Sequence, residues 1–226
     1  MAKQVNRLDL TKWFKNALPA NDSRPSLTAG RVIDGVAYAS DGYVLFMDYS
    51  SGLADGSIIH ATKYSNYYDP DCHYPDVKAV LPSPNDYGLT LTVNAAMLRN
   101  AMKAVQAVID AVHGVKLTLT SEPVSGQETD VTRLTLTAYR NGGAVVTVTL
   151  PVSDVAGELT NQLTFNPGYI ENAVKGMLHA DNGEIALSVN DGGYGHKMLI
   201  TCAVYDGTED GRIDRQALLA GMATTE

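Results

Sequence analysis

Only two cysteines occur in 226 residues, Cys72 and Cys202, and they lie far apart with no paired ligand spacing. Two free thiols in a reducing compartment are expected. No run approaches the roughly 20 apolar residues that span a bilayer. The opening residues, MAKQVNRLD, are too polar to hold the apolar stretch of a signal peptide. A soluble, cytoplasmic protein with no membrane partner is expected. Positive charge is scarce as well: 17 Lys and Arg against 25 Asp and Glu give a formal charge of −8. That balance argues against a protein wrapped non-specifically around nucleic acid. Any DNA contact must be confined to one locally basic face.

What is present suits a globular chain. Apolar residues make up 45% and charged residues 19%, enough to bury a sizeable core in one large domain or two small ones.

No catalytic set emerges. His60, His73, His113, His179 and His196 sit in unrelated contexts, and no G-x-S-x-G elbow or phosphate-cradling glycine loop precedes a helix. Gly192 to Gly195 read as a turn between strands. Asp69, Asp71, Cys72, His73 and Asp76 are the densest group of metal-ligand types, but their spacing matches no zinc pattern. A metal-dependent hydrolase would rest on that loop alone. Residues 206–214, DGTEDGRID, resemble the front of a calcium loop, yet its twelfth position is Ala217, where a bidentate carboxylate is needed. The segment reads instead as a turn before a short helix, Arg215 to Met222, with Asp214 as its N-cap. No enzyme activity, metal or cofactor is expected.

The most informative feature is an internal repeat. Residues 91–103, LTVNAAMLRNAMK, and 163–175, LTFNPGYIENAVK, match at an offset of 72. A fainter copy, KWFKNAL at 12–18, lies 84 residues before the first of these. Phe14, Leu98 and Ile170 correspond, as do Ala17, Ala101 and Ala173, and Leu18, Met102 and Val174. Each copy reads as a helix entered from a strand. Met97, Leu98, Ala101, Met102, Val105, Val108 and Ile109 recur at helical spacing. Asn94 and Asn166 stand where N-caps are expected, and Pro167 takes the first helical position. Val115–Thr120, Arg133–Tyr139, Val145–Leu150, Glu184–Val189 and Lys197–Val204 alternate as half-buried strands. An α+β fold follows, with the repeated helices covering one face of antiparallel sheets. Segment 121–130 reads as a polar hairpin loop and 64–76 as a long ordered one.

Four stretches, Ser23–Leu27 with Val36–Leu45, Tyr74–Pro82, Leu163–Tyr169 and 184–201, resemble in order those of the bacterial DNA polymerase sliding clamp, the polymerase III beta subunit. Ser23–Leu27 with Val36–Leu45 is similar to "RxxL … vATDGhRL" of the family's middle domain. Tyr74–Pro82 is similar to "FPDyrrvlP" at that domain's end. Leu163–Tyr169 is similar to "FNxxYl" of the last domain, and segment 184–201 resembles the strands that follow. The resemblance spans about residues 24–201. The departures are a gap of only 28 residues between Leu45 and Tyr74, no counterpart of the family's first domain, and Ala203–Glu226 in place of its closing "mPmRL" strand. Three half-domain units are therefore expected, one in a truncated clamp-like domain at 1–84 and two in a complete one at 85–205, followed by a tail with a short helix at 206–226. So compact a chain resembles a phage or mobile-element version.

The resemblance implies a processivity factor that tethers a polymerase or repair protein to double-stranded DNA without regard to sequence. Its alternative is a clamp-fold adaptor that encircles nothing. A ring built from three units per chain implies a homo-trimer or tetramer. Lys12, Lys15, Arg99, Lys103 and Lys175, on the repeated helices, would face phosphate, unless they are merely the solvated surface of those helices. Glu171 interrupts the pattern at the position of Arg99. A partner peptide would meet Ser40, Gly42, Tyr43, Leu45, Pro82, Asn166 and Tyr169, with Met198 as a further candidate. Val44 replaces the family's Arg there. The alternative is that Leu45 and Tyr169 are ordinary core residues.

Overall fold

A computed structural model describes residues 7–19, 21, 23–69, 71, 74–108, 115–122, 131–140, 143–158, 163–178, 183–190, 196–204 and 212–222. In chain order its first elements are α1 (Arg7–Phe14), β1 (Gly30–Ile33), β2 (Val36–Ser40), β3 (Val44–Asp48), β4 (Ile58–Ile59) and α2 (Val77–Val80). Next come β5 (Leu89–Asn94), α3 (Ala95–Gln106), β6 (Val115–Glu122), β7 (Val131–Arg140), β8 (Gly143–Pro151) and β9 (Ser153–Gly157). The last are β10 (Leu163–Phe165), α4 (Pro167–Lys175), β11 (Glu184–Asn190), β12 (Lys197–Val204) and β13 (Arg212–Ala220). The chain divides into two units, residues 1–81 with 201–218 and residues 82–200 with 219–226.

In the first unit, β1, β2 and β3 form an antiparallel meander, with Arg31 opposite Tyr38 and Ala37 opposite Asp48. β4 adds to the outer side of β1 and β13 to that of β3. β3 reads VLFMD and is buried along its whole length, as a central strand covered on both faces requires. α1 is the cover on one face. Its Trp13 stacks on Phe46 with ring centroids 4.6 Å apart and planes 16° apart, and Phe14 and Ala17 are fully buried. After Phe14 the chain tightens into i+3 bonds, Asn16 N–H to the Trp13 carbonyl and Ala17 N–H to that of Phe14, before Pro19 ends the turn.

The helix expected at Arg215 to Met222 is a strand. Ala, Leu, Gln and Arg favour helix weakly, by a few tenths of a kcal/mol per residue, and such a preference yields to tertiary pairing. Here the Asp214 carbonyl accepts the Tyr49 N–H at 2.9 Å, so Asp214 belongs to a ladder beside β3 and not to the start of a helix. Arg215 meets Asp48 at 2.8 Å, both side chains being buried. The expected tail is thus an integral strand that donates a core charge.

The second unit holds the two stronger copies of the repeat. The positions that recur are the ones that are buried: Leu98, Ala101, Met102 and Val105 on α3, and Ile170, Ala173, Val174 and Met177 on α4. Met97 and Val108 depart from the expected face and are 42% and 39% exposed. Val108 lies beyond the end of α3 at Gln106, and Ile109 falls outside the described residues. Both predicted N-caps are present. Asn94 Oδ1 accepts the Met97 N–H at 3.0 Å, and Asn166 Oδ1 accepts those of Gly168 and Tyr169 at 2.8 and 3.4 Å. The predicted strands are all found, as β6, β7, β8, β11 and β12. Most of segment 121–130 and all of 191–195 lie outside the described residues.

The copies do not pair their own strands. β5, which leads into α3, pairs antiparallel with β11, which follows α4, placing Leu91 opposite Leu187. β10, which leads into α4, pairs antiparallel with β6, which follows α3, placing Leu163 opposite Leu117. Each copy lends its leading strand to the other. β7 and β8 extend one sheet beyond β6, while β9 borders β5 in the other, with a register shift between Thr90 and Thr92. Buried Leu89, Leu91, Val93, Ile185, Leu187, Phe165 and Leu134 line the faces of these sheets.

Candidate functional site

The helix layer decides which cations are free. α3 and α4 pack on each other, and their central contact joins equivalent residues of the repeat: Arg99 Nε donates to Glu171 Oε1 at 3.0 Å. The Gln106 amide, at the far end of α3, reaches the Pro167 carbonyl at the start of α4 at 3.4 Å. The helices therefore run antiparallel, and positions 99 and 171 meet where a local two-fold axis would pass. A contact between equivalent positions is the mark of such an axis.

This geometry divides the expected DNA-facing residues. Arg99 is only 24% exposed and its charge is matched by Glu171 at 15%; a partly buried pair of this kind contributes on the order of 1 kcal/mol to holding the helices together. Lys103 and Lys175, one turn further on and equivalent to each other, are exposed. Lys12 and Lys15 are exposed on α1 and the turn that follows it. Those four lysines are charges that solvent or phosphate reaches.

The expected peptide-contact residues fall in both units. In the first, the turn between β2 and β3 is tightly built. Ser40 Oγ accepts the Gly42 N–H at 3.0 Å, and Asp41 Oδ1 accepts those of Tyr43 and Val44 at 2.8 and 3.0 Å. Gly42 has φ +94°, and a Cβ there would collide with Arg24 Nη1. Arg24 donates to the Asp41 carbonyl at 2.7 Å and lies 5.7 Å from the Tyr43 ring centre. Tyr43 is 59% exposed, whereas Leu45 is core at 5%. In the second unit Pro82 and Tyr169 are half-buried, Asn166 is committed to its cap, and Met198 is core at 1%. Tyr43 and Tyr169 are the side chains of this set with ring surface to offer.

The acidic loop is structural where it is described. Asp76 caps α2 by accepting the N–H groups of Lys78 and Ala79, and Asp69 accepts that of Asp71. Cys72, His73 and residues 205–211 lie outside the described residues. Among the described residues no group of three potential metal ligands converges, and no helix is long and apolar enough to cross a membrane.

Sequence reasoning missed two features. One is the buried Asp48–Arg215 pair, separated by 167 residues, for which no spacing rule exists. The other is a pair of hollows, of about 400 Å³ beside α1 and about 580 Å³ beside the turn after it, that share His60.

Helix-covered antiparallel sheets, assembled from repeated helix-and-strand units, define the α+β fold of DNA clamps. The comparisons agree on that fold. The solved DNA polymerase III beta subunit of Borrelia burgdorferi superposes with a TM-score of 0.67 at 14% identity, covering 98% of this chain and 63% of that one. The beta chain of Streptococcus pneumoniae gives 0.63 at 18% identity, with 96% and 63% covered. The beta subunit of Thermotoga maritima gives 0.62 at 16%, with 98% and 65% covered. The chain thus spans less than two thirds of the length of these beta subunits. Neither a protein-family model nor a curated protein matches the sequence.

Proposed function

We propose that this chain is a non-catalytic DNA clamp or clamp-like processivity factor, holding a polymerase or repair protein on double-stranded DNA by topology and weak phosphate contact. The observation that carries the reading is the beta-subunit fold together with Lys103 and Lys175, exposed at the same place on two packed helices. A contact that slides must be indifferent to sequence, which means phosphate and counterion release rather than base readout. Lys12, Lys103 and Lys175 suit that role, whereas Lys15 lines a hollow beside the turn after α1. Arg99 does not, because Glu171 already neutralises it.

Replacing Lys12, Lys103 and Lys175 together with Ala tests the reading. Duplex affinity at low salt should fall, and the slope of log K against log salt should shrink by about 0.9 for each phosphate no longer neutralised. An unchanged slope in the folded variant rejects these helices as the DNA face. The assembly is tested by light scattering over a concentration series. A trimer or tetramer supports a ring with sequence-independent DNA contact; a strict monomer supports the adaptor, which binds replication proteins and encircles nothing. For the peptide surface, Tyr43→Ala and Tyr169→Ala are each titrated against a labelled clamp-binding peptide. Loss of saturable binding in either folded variant assigns that ring to the contact.

A further inference from the structure

α1 and the turn that follows it border the two hollows. Leu10 and Thr11 of α1 line the smaller one, and Lys15 and Leu18 of the turn line the larger. By the repeat, Thr11, Lys15 and Leu18 correspond to Ala95, Arg99 and Met102 of α3. That is the stripe from which Arg99 reaches α4. α3 has a helix on this flank. In the first unit, α1 is the only α-helix longer than four residues among the described residues, and the hollows occupy its flank and that of the turn after it.

The charge of this flank is one-sided. Lys15, His60 and Lys63 line the larger hollow, with Lys63 Nζ 4.9 Å from the Tyr64 ring centre. None of the described residues lining either hollow is acidic, in a chain whose net charge is −8. A second copy of α1 is a poor occupant. Packed as α3 packs on α4, it would set Lys15 against Lys15, where the second unit sets Arg99 against Glu171.

We infer that this flank of α1 is a docking groove for an amphipathic helix of a different protein, one that presents an acidic side chain to Lys15 between apolar neighbours. Leu18 supplies the apolar floor, Lys15 fixes the register, and Lys63 and His60 favour further acid at one end. The inference does not depend on DNA being encircled.

The probe is a synthetic peptide of residues 163–178, LTFNPGYIENAVKGML, helix-stapled, which carries Glu171 at the complementary position. Fluorescence anisotropy is read with the full chain. Saturable binding is expected, weakened about tenfold by Lys15→Glu and recovered when Lys15→Glu is paired with the Glu171→Lys peptide. Lys15 is exposed, so circular dichroism should show the variant folded. No saturable binding overturns the inference, as does equal binding of both peptides by wild type and variant. Displacement of the peptide by short duplex DNA at equimolar sites assigns the groove to phosphate and overturns it too. A dimer that dissociates on Lys15→Ala assigns the groove to a second copy and likewise overturns the inference.

Discussion

Replacing Arg215 with Ala is the severest surgical test of the first unit. Asp48 is wholly buried: Oδ1 accepts the Ser50 N–H and hydroxyl at 2.9 and 3.0 Å, and Oδ2 accepts Arg215 Nε at 2.8 Å. The guanidinium also lies 4.9 Å from the centre of the Trp13 ring, which in turn stacks on Phe46. Arg215→Ala therefore leaves a carboxylate in the core with its countercharge gone and uncovers one face of Trp13. Breaking a buried pair from one side costs about 3–5 kcal/mol, a fifth or more of the roughly 5–15 kcal/mol that holds a typical domain together. With a urea m-value of about 2–3 kcal/mol/M, the unfolding midpoint should drop by about 1–2.5 M. Trp13 is the only tryptophan, so its fluorescence follows this unit specifically. The paired change Asp48→Leu with Arg215→Met removes both charges, and its cost should be far smaller, because desolvation offsets much of a buried pair's attraction. A midpoint within about 0.3 M of wild type for Arg215→Ala would refute the placement of β13 beside β3. A double variant as damaged as the single one would show that shape, rather than the unpaired charge, sets the cost.

Two further outcomes are expected. Asn166→Ala removes the acceptor for two N–H groups of α4 and should cost about 1 kcal/mol, a fall of roughly 2–4 °C in Tm by calorimetry, with Asn166→Ser close to wild type; no fall would deny the cap. Burial pushes the phenols of Tyr38 and Tyr87 up to about 12, with Tyr49 and Asp34 adding at Tyr38 and Asp86 at Tyr87, and raises those of Tyr74 and Tyr49 as well. A raised native pKa means that the unfolded chain loses these protons first, near pH 10, so stability is intact below pH 10 and declines from there towards pH 12. Absorbance at 295 nm should show late-ionising tyrosines whose release coincides with unfolding; a single transition near pH 10 in the folded protein would contradict the burial.

Helices α3 and α4, their caps and the strands that follow them were legible because each is written in local chemistry. Asn94 and Asn166 sit one residue before an apolar 3.6-residue period, Pro167 sits where it lacks nothing, and the repeat preserves the positions that face the core. No local pattern carries the rest. Whether Arg212–Ala220 becomes helix or strand was decided by an open edge at β3 and a buried carboxylate at Asp48, far away in the chain. α3 packs on α4, and each copy's leading strand pairs in the other copy's sheet, a choice no local pattern makes, since both pairings satisfy the same backbone groups. The role of Arg99 followed from the same packing: an exposed-looking helix cation became half of an ion pair when its own repeat equivalent, Glu171, arrived opposite it. Residue type and spacing set what each segment prefers, but contacts between segments distant in sequence choose among preferences that differ by less than a single core contact.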